Sequence, residues 1–274
     1  MRILYVTDLH GRTTAYDKAL DRALSAGACA IVNGGDLYPL GRDLFQVQHE
    51  FIRGWFRDYL QRLAGHGITY LSTLGNMDLR GHDDLFREVM REAGNGVCLV
   101  GESVQVNGWT FVGSPMIVDA PFALKDRCLR DTPDSTPPPT GRAPLLSDIT
   151  GIHEVRDWGR EVAGRPTLGE YLNSLPVPEN PARTVYVLHQ PPHGIGQGII
   201  NSGADVGSLS VRDFLGRVGP RLSLHGHIHE SPFAGGLWRS DMGRTVCVQP
   251  GQLDGDRLVS VLIDLETMEM HREE

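Results

Sequence analysis

The sequence has few cysteines, and their positions demand no disulfide framework. Four cysteines occur in 274 residues, and no two have the Cys-X-X-Cys spacing that is typical of zinc and redox motifs. Cys29 and Cys247 lie within apolar runs, where cysteine behaves as a small hydrophobic residue. The cysteine pattern therefore fits a chain that folds without disulfides.

Long apolar runs are also missing. No stretch approaches the roughly 20 apolar residues that a membrane-spanning helix needs. The N-terminus enters a predicted strand at Arg2 and reaches Asp8 soon after, so it is too short and too polar for a signal peptide. We therefore expect no membrane partner and a cytoplasmic location.

Lysine is scarce, with only two in the chain, and the formal net charge is −8 because 34 Asp and Glu outnumber 26 Lys and Arg. Proteins that bind nucleic acid generally need a basic face that displaces counterions from the phosphate backbone. The acidic balance thus disfavours nucleic acid as a partner, and a nuclease as the function. A small phosphate ester stays compatible, since bound metal ions would add positive charge that the formal count omits.

Side chains able to bind a metal follow apolar, strand-like runs at five points in the chain. The run Leu224–His229 is the most informative, because its Gly-His-X-His places two imidazoles on one turn, and neutral imidazole binds Zn, Mn, Fe or Ni. Each group taken alone has a structural explanation as a turn or helix-cap residue. Together they indicate one site, made of Asp8 and His10, Asp36, Asn76 and Asp78, His189, and His227 and His229.

In this order the motifs resemble the calcineurin-like metallophosphoesterase superfamily: Asp-X-His, Gly-Asp, Gly-Asn-X-Asp, His and Gly-His-X-His. Gln249-Pro250-Gly251 is similar to the Asn-Pro-Gly that often follows. The resemblance spans most of the chain and leaves only about 118–182 outside the pattern. It implies an α/β fold, a four-layer α-β-β-α sandwich of two mixed β-sheets flanked by helices.

The resemblance also implies two divalent metal ions, drawn from Mn, Fe, Zn, Ni or Co. Asp8, His10, Asp36 and His229 would hold one ion, and Asp36, Asn76, His189 and His227 would hold the other. Asp36 would bridge the pair, and a hydroxide shared by the ions would attack the phosphorus of a small phosphate ester. Through these roles Asp36 and Asn76 are the predicted catalytic residues.

One position departs from the family pattern. Many members carry His in the third place of Gly-Asn-His-Asp, where this chain has Met77, and a thioether can neither donate nor accept a proton. We therefore expect a phosphodiesterase, with a nucleotide-like diester as one option. His82 and His193 are the nearest replacement acids, although a solvated loop is expected for each. A phosphomonoesterase of the same family, or a non-catalytic interaction module on this fold, is the alternative.

Two arginines and one further aspartate complete the candidate site. Arg80 and Arg12 could contact substrate phosphate, because a guanidinium suits bidentate binding, with surface arginines as the alternative. Asp78 is expected to orient a neighbour or to support its loop.

Hydrophobic periodicity predicts a β-α-β-α-β-α order in the first third of the chain, with parallel strands and ligands at their carboxyl ends. We expect a single domain over 1–274 with a Pro-rich insertion at about 119–181, either a lid beside the metals or a peripheral association segment. The sequence leaves the oligomeric state open. The predicted elements are strands at 2–7, 28–33 and 68–73, helices at 13–26, 45–63, 83–93 and 167–175, a hairpin turning at Asn107-Gly108, and strands at 245–248 and 258–265.

Overall fold

The computed structural model describes residues 1–253, 255 and 257–274. In chain order the strands are β1 (Arg2–Val6), β2 (Ala30–Asn33), β3 (Thr69–Ser72), β4 (Gly96–Cys98), β5 (Ser103–Val106), β6 (Trp109–Ser114), β7 (Ile117–Val118), β8 (Cys128–Leu129), β9 (Leu145–Asp148), β10 (Gly151–Glu154), β11 (Thr184–Leu188), β12 (Leu222–Leu224), β13 (Arg239–Met242), β14 (Thr245–Val248), β15 (Ser260–Asp264) and β16 (Met270–Glu273). The α-helices are α1 (Thr13–Ser25), α2 (Leu44–Phe51), α3 (Arg57–Gly65), α4 (Asp83–Ala93), α5 (Trp158–Ala163), α6 (Leu168–Ser174) and α7 (Leu209–Val218).

Within the described residues the strands form two six-stranded mixed sheets. The first has the order β16-β15-β1-β2-β3-β4, in which β1 to β4 are parallel and the two C-terminal strands are antiparallel. The second has the order β13-β14-β12-β11-β6-β5, in which the four central strands are parallel. Two short pairs, β9 with β10 and β7 with β8, lie outside both sheets.

The sheets pack face to face, because each buried strand has apolar side chains on both faces. Along β1, Ile3 and Tyr5 join the core between the two sheets, whereas Leu4 and Val6 join the core beneath α1 to α4. On the outer face of the second sheet, Tyr186 packs among the apolar side chains of α6 and α7. This arrangement confirms the predicted four-layer α-β-β-α sandwich.

Most predicted elements are present with small differences at their ends. The predicted helix 45–63 is a continuous helical stretch in which a π-helical turn, Ile52–Phe56, separates α2 from α3. Its aromatic face packs in the core, with ring contacts among Tyr16, Phe51 and Tyr59. The Asn107-Gly108 turn has positive φ at both residues, as a tight hairpin turn requires.

The segment 119–181 contains more regular structure than its prolines suggest. Its 131–144 part is irregular, as expected for a proline-rich stretch, and Thr167 caps α6 in a capping box with Glu170. The β9–β10 hairpin and α5 were not predicted. Trp158 and Val162 of α5 form a small separate core with Ile117 and Cys128.

A buried ion pair closes the first loop of this segment. The fully buried ammonium of Lys125 donates to Asp119 Oδ1 at 2.5 Å and to the carbonyl of Ala120 at 2.6 Å. Trp158 Nε1 donates to the other carboxylate oxygen of Asp119 at 2.7 Å. All charge in this cluster is therefore paired within the chain.

Across the part of the chain that the structure describes, no helix is long and apolar enough to span a membrane.

Candidate metal centre

The carboxyl ends of parallel strands from both sheets meet at one edge of the sandwich. Contacts here join the two sheets to each other. Tyr5 on β1 donates its hydroxyl to the carbonyl of His225, beyond β12, at 2.7 Å. The backbone N–H of His227 donates to Asp8 Oδ1 at 3.1 Å, and the N–H of Asp8 donates to the carbonyl of Gly35 at 2.9 Å. The loops that follow the strands are therefore joined to one another by hydrogen bonds.

Several predicted ligands have an unusual backbone conformation. Among the described residues, six that are not glycine have positive φ, and four of the six are Asp8, His10, Asp36 and His227. Such a conformation costs about 1–3 kcal/mol for a residue with a Cβ, and it persists where the surrounding contacts impose it. The fold thus maintains local strain at the residues that the motifs select.

Two motif glycines are required because their neighbours come very close. A Cβ on Gly75 would lie 2.2 Å from Asp36 Oδ1, and one on Gly226 would lie 2.1 Å from Thr7 Oγ1 and 2.8 Å from Asp8 Oδ2. These distances leave no room for a side chain. The glycines of Gly-Asn and Gly-His-X-His are therefore needed for the carboxylates to reach the centre of the site.

One group of side chains forms a compact cluster of possible ligands. Ligand atoms of Asp8, His10, Asp36 and His229 all lie within 4.8 Å of one another. His10 Nε2 is 3.2 Å from His229 Nε2 and 3.6 Å from Asp36 Oδ2, and His229 Nε2 is 3.5 Å from Asp8 Oδ1. This is the four-residue set predicted for the first ion.

A second group adjoins the first through Asp36. His189 Nε2 lies 3.1 Å from Asn76 Oδ1 and 3.7 Å from Asp36 Oδ1. The His189 Nδ1–H donates to the carbonyl of Gly34 at 2.9 Å, which fixes the ring and turns Nε2 toward the amide oxygen. The imidazole of His227 has its centroid 5.3 Å from that of His189. The structure thus places His189 and Asn76 beside Asp36, with the His227 ring beside His189.

The charges in the cluster favour a cation at its centre. Burial disfavours ionisation of Asp8 and Asp36, but the imidazoles beside them outweigh it and hold the pKa of both carboxyls below the usual range. Burial opposes protonation of His189, but the nearby carboxylate of Asp36 raises its pKa to about 9. Burial lowers the pKa of His227 to about 3, so this ring keeps a lone pair free for a ligand bond.

The side chains present fit divalent metal ions. Ligands about 2.1 Å from one ion lie about 3.0–4.2 Å from one another, which matches the spacing within the cluster. The two closest contacts join His10 Nε2 to His229 Nε2 and His189 Nε2 to Asn76 Oδ1. In each contact two lone pairs would face each other, unless a proton or a metal ion lies between them. Imidazole, carboxylate and amide oxygen together suit Mn, Fe, Zn, Ni or Co.

Asp78 holds the Asn76 loop against the Asp36 loop. Its buried carboxylate accepts hydrogen bonds from the backbone N–H groups of Leu37, Tyr38 and Gly75 at 2.8–3.0 Å. Burial, with the nearby charge of Asp36, raises the pKa of Asp78 to about 7. These contacts match the supporting role expected for Asp78.

The structure directs Arg12 to the protein backbone. Its guanidinium donates to the carbonyls of Leu9, Leu253, Gly255 and Arg257 at 2.8–3.1 Å. It thereby ties the loop after β14 to the end of β1. This arrangement favours a positioning role over the predicted contact with substrate phosphate.

The remaining predicted residues lie in different surroundings. His82 is only 2% exposed, so its expected place on a solvated loop is wrong: Nε2 is 2.9 Å from the carbonyl of Phe45, and the ring contacts that phenyl at a tilt of 43°. His193 is on a half-exposed loop, as expected, with Nδ1 3.6 Å from Asp205. Arg80 is exposed beside a cavity of about 420 Å³, and its backbone N–H donates to Asp126. The catalytic and phosphate roles of these residues stay predictions.

Buried amides and one further histidine position the site, and sequence reasoning gave none of them this role. Gln48 on α2 donates to the Met77 carbonyl at 2.8 Å and accepts from the Leu79 N–H, which fixes the Asn76 loop. Gln249 donates to the carbonyls of Gly226 and Ile228. Only the resemblance of Gln249-Pro250-Gly251 to a family motif gave a signal.

His225, which directly precedes the Gly-His-X-His motif, has a structural role. Burial lowers its pKa to about 4, and its neutral ring donates from Nδ1 to the carbonyl of Leu188 at 3.0 Å. The ring thereby connects the ends of β11 and β12, which carry His189 and His227.

Fold and site together define a class of α/β proteins that present an Asp- and His-rich cluster where two packed sheets meet. The profile of the calcineurin-like phosphoesterases matches residues 1–231, so the chain belongs to that family. Membership implies a phosphoester hydrolase. No curated protein matches the chain in sequence.

Solved structures support the fold assignment. One is similar over 100% of this chain and 98% of its own, with 16% identity and a TM-score of 0.62. TT1561 of Thermus thermophilus is similar over 99% of this chain and 97% of its own, with 15% identity and a TM-score of 0.61. An archaeal phosphodiesterase aligns over 100% and 99% at 11% identity with a TM-score of 0.48, a likeness too low to support an argument about substrate.

Proposed function

We propose that the chain is a phosphoesterase that depends on two divalent metal ions and hydrolyses a small phosphodiester. The observation that carries this proposal is the pair of adjoining ligand groups that share Asp36. Asp8, His10, Asp36 and His229 would hold one ion, and Asp36, Asn76, His189 and His227 the other. When bound, the ions would neutralise phosphoryl charge and lower the pKa of a coordinated water.

The protein's own contribution is to fix these ligands before substrate arrives. The His189 ring is held by Gly34, the Asn76 loop by Asp78 and Gln48, and the His227 turn by Asp8. Ligands held in this way lose little conformational freedom on binding, which is how preorganised sites gain affinity and rate.

The preference for diesters is supported by Met77. The Met77 N–H donates to Asp36 Oδ1 at 2.7 Å, so its backbone belongs to the metal loop, while its side chain lines a cavity beside the site. A thioether there supplies no proton to a leaving group. A leaving group that needs little protonation is therefore the better substrate, and a nucleotide-like diester is one member of that class.

The test is hydrolysis of paired aryl phosphodiester and monoester substrates by metal-stripped protein, with Mn, Ni or Zn added back. Asp36→Asn removes the shared carboxylate charge but keeps its shape. We expect metal-dependent turnover that favours the diester and falls by about a thousandfold or more in the variant. Equal turnover by the folded variant would contradict the proposal. Metal binding without any turnover would favour the interaction module on this fold.

A further inference from the structure

One aromatic side chain lines two cavities, and the smaller of the two is also lined by a proposed metal ligand. Phe122 and Pro121 line an open cavity of about 1110 Å³ on one side and a narrower cavity of about 470 Å³ on the other. Met77 lines the first and His227 lines the second. Phe122 therefore separates a cavity lined by the proposed ligand His227 from one lined by Met77.

The narrower cavity is apolar. It is of the size that small-molecule pockets have, about 300–1,000 Å³. Most of its lining comes from the insertion and from the two loops that follow β11 and β12. The apolar side chains that line it include Val118, Phe122, Pro138, Ile200, Val206 and Ile228.

The polar groups around this cavity do not suit an anion. Both polar atoms of the Gln190 side-chain amide have partners: Oε1 accepts from the Val118 N–H, and Nε2 donates to the Val206 carbonyl. The Asp119 carboxylate is paired with Lys125, and Glu230 adds a further carboxylate to the wall. Among the described residues that line the cavity, none is lysine or arginine. An anionic group would thus be disfavoured here, whereas Arg42 and Arg142 line the open cavity on the other side.

The loop that carries Phe122 is held in place. The Lys125 ammonium closes the loop onto Asp119 and Ala120, and Trp158 donates to Asp119. Phe122 lies between these anchors and is 46% exposed. Its ring meets the His227 imidazole edge to face, with centroids 6.1 Å apart. A half-exposed ring on an anchored loop beside a proposed ligand is placed to contact substrate.

We propose that the narrower cavity receives an uncharged, ring-sized apolar substituent of the diester substrate, and that Phe122 is the residue that determines this specificity. The inference rests on the proposed function, because it assigns one of the two ester substituents of that substrate. It also gives the insertion 119–181 a role in the site, in place of peripheral association.

Binding is measured by calorimetry with manganese-loaded protein, using diphenyl phosphate and dimethyl phosphate as probes. The wild type should bind diphenyl phosphate more tightly, and Phe122→Ala should reduce that preference by about tenfold, the loss of one aromatic contact. Phe122→Leu, which keeps an apolar wall, should lose less. Val177→Ala, a 76% exposed position on the same insertion, should keep the wild-type preference.

The outcomes separate this inference from the proposed function. If Phe122→Ala keeps the wild-type preference, or weakens both probes equally, the pocket assignment is overturned, whatever the turnover. If no ester is hydrolysed but the phenyl preference depends on Phe122, the proposed function fails and the pocket stands. Circular dichroism melting of each variant shows whether it is folded.

Discussion

Asp36 and Asp119 are both buried carboxylates, but their partners differ. Asp119 accepts from the Lys125 ammonium and the Trp158 indole, so its charge is balanced within the chain. Asp36 faces two imidazoles at 3.6–3.7 Å, and the pKa of one of them, His189, is raised to about 9 beside the carboxylate. A protonated ring can give up its proton when a metal ion binds, whereas the carboxylate of Asp119 is already balanced by a lysine. The difference indicates why one aspartate supports the fold and the other belongs to a metal site.

Exchanging each aspartate for asparagine should separate these roles by the largest margin. Asp36→Asn should keep the fold while losing hydrolysis, because the shape is unchanged and the metal-balancing charge is gone. Asp119→Asn should lower the free energy of unfolding by about 3–5 kcal/mol, because it leaves Lys125 buried without its partner. Urea denaturation and ester hydrolysis, run on both variants at low temperature, check the prediction.

The control for the ion pair uses the two lysines of the chain. Lys125→Met should destabilise the protein by several kcal/mol, whereas Lys18→Met, at an exposed position, should change the free energy of unfolding by less than about 1 kcal/mol. Equal changes in the free energy of unfolding for the two variants would contradict the comparison, because the buried ion pair of Lys125 would then contribute nothing to stability.

Metal removal should have the next largest effect on stability, and this effect should depend on the candidate metal centre alone. Ions that bind the folded chain alone stabilise it by about 4 kcal/mol per site when their concentration is a thousand times Kd. Thermal melting of metal-stripped protein should therefore rise with added Mn. Asp36→Asn should show little of this rise, and Asp119→Asn should show all of it. A rise of equal size in both variants would place the stabilising ions elsewhere.

The smallest predicted effect concerns the leaving group. Met77→His restores a proton donor at the family position and should raise monoester turnover relative to diester by about tenfold. The gain should be larger at pH 6 than at pH 8, because only the protonated imidazole can donate and its ordinary pKa is about 6.5. Met77→Leu is the control without a proton. The same gain in that variant would contradict the acid role.

The candidate metal centre, at the carboxyl ends of the strands, could be predicted from sequence because its residues follow local rules. Asp8, Asp36 and His189 each follow the end of a short buried strand within three residues, and parallel strands bring their carboxyl ends to one side of the sheet. The glycines at 75 and 226 are part of the same motifs, since no other residue fits there. Order along the chain was therefore enough to predict which side chains meet.

The insertion could not be predicted in this way, because its contacts join distant residues. Asp131 accepts from the Ser208 hydroxyl and from the N–H groups of Leu209 and Ser210, 77–79 positions further along. At this contact α7 begins, with Ser208 as its cap. His82 likewise contacts Phe45, 37 positions earlier, which no local pattern reveals.

The central claim is that the candidate metal centre binds two metal ions that share Asp36 as a ligand. Equilibrium dialysis of metal-stripped protein against Mn, with metal content determined by mass spectrometry, tests it most directly. The account predicts two ions per wild-type chain, a loss of bound metal in Asp36→Asn, and two ions in Asp119→Asn. One ion or none in the wild type, or two ions still bound with unchanged affinity in Asp36→Asn, would contradict it.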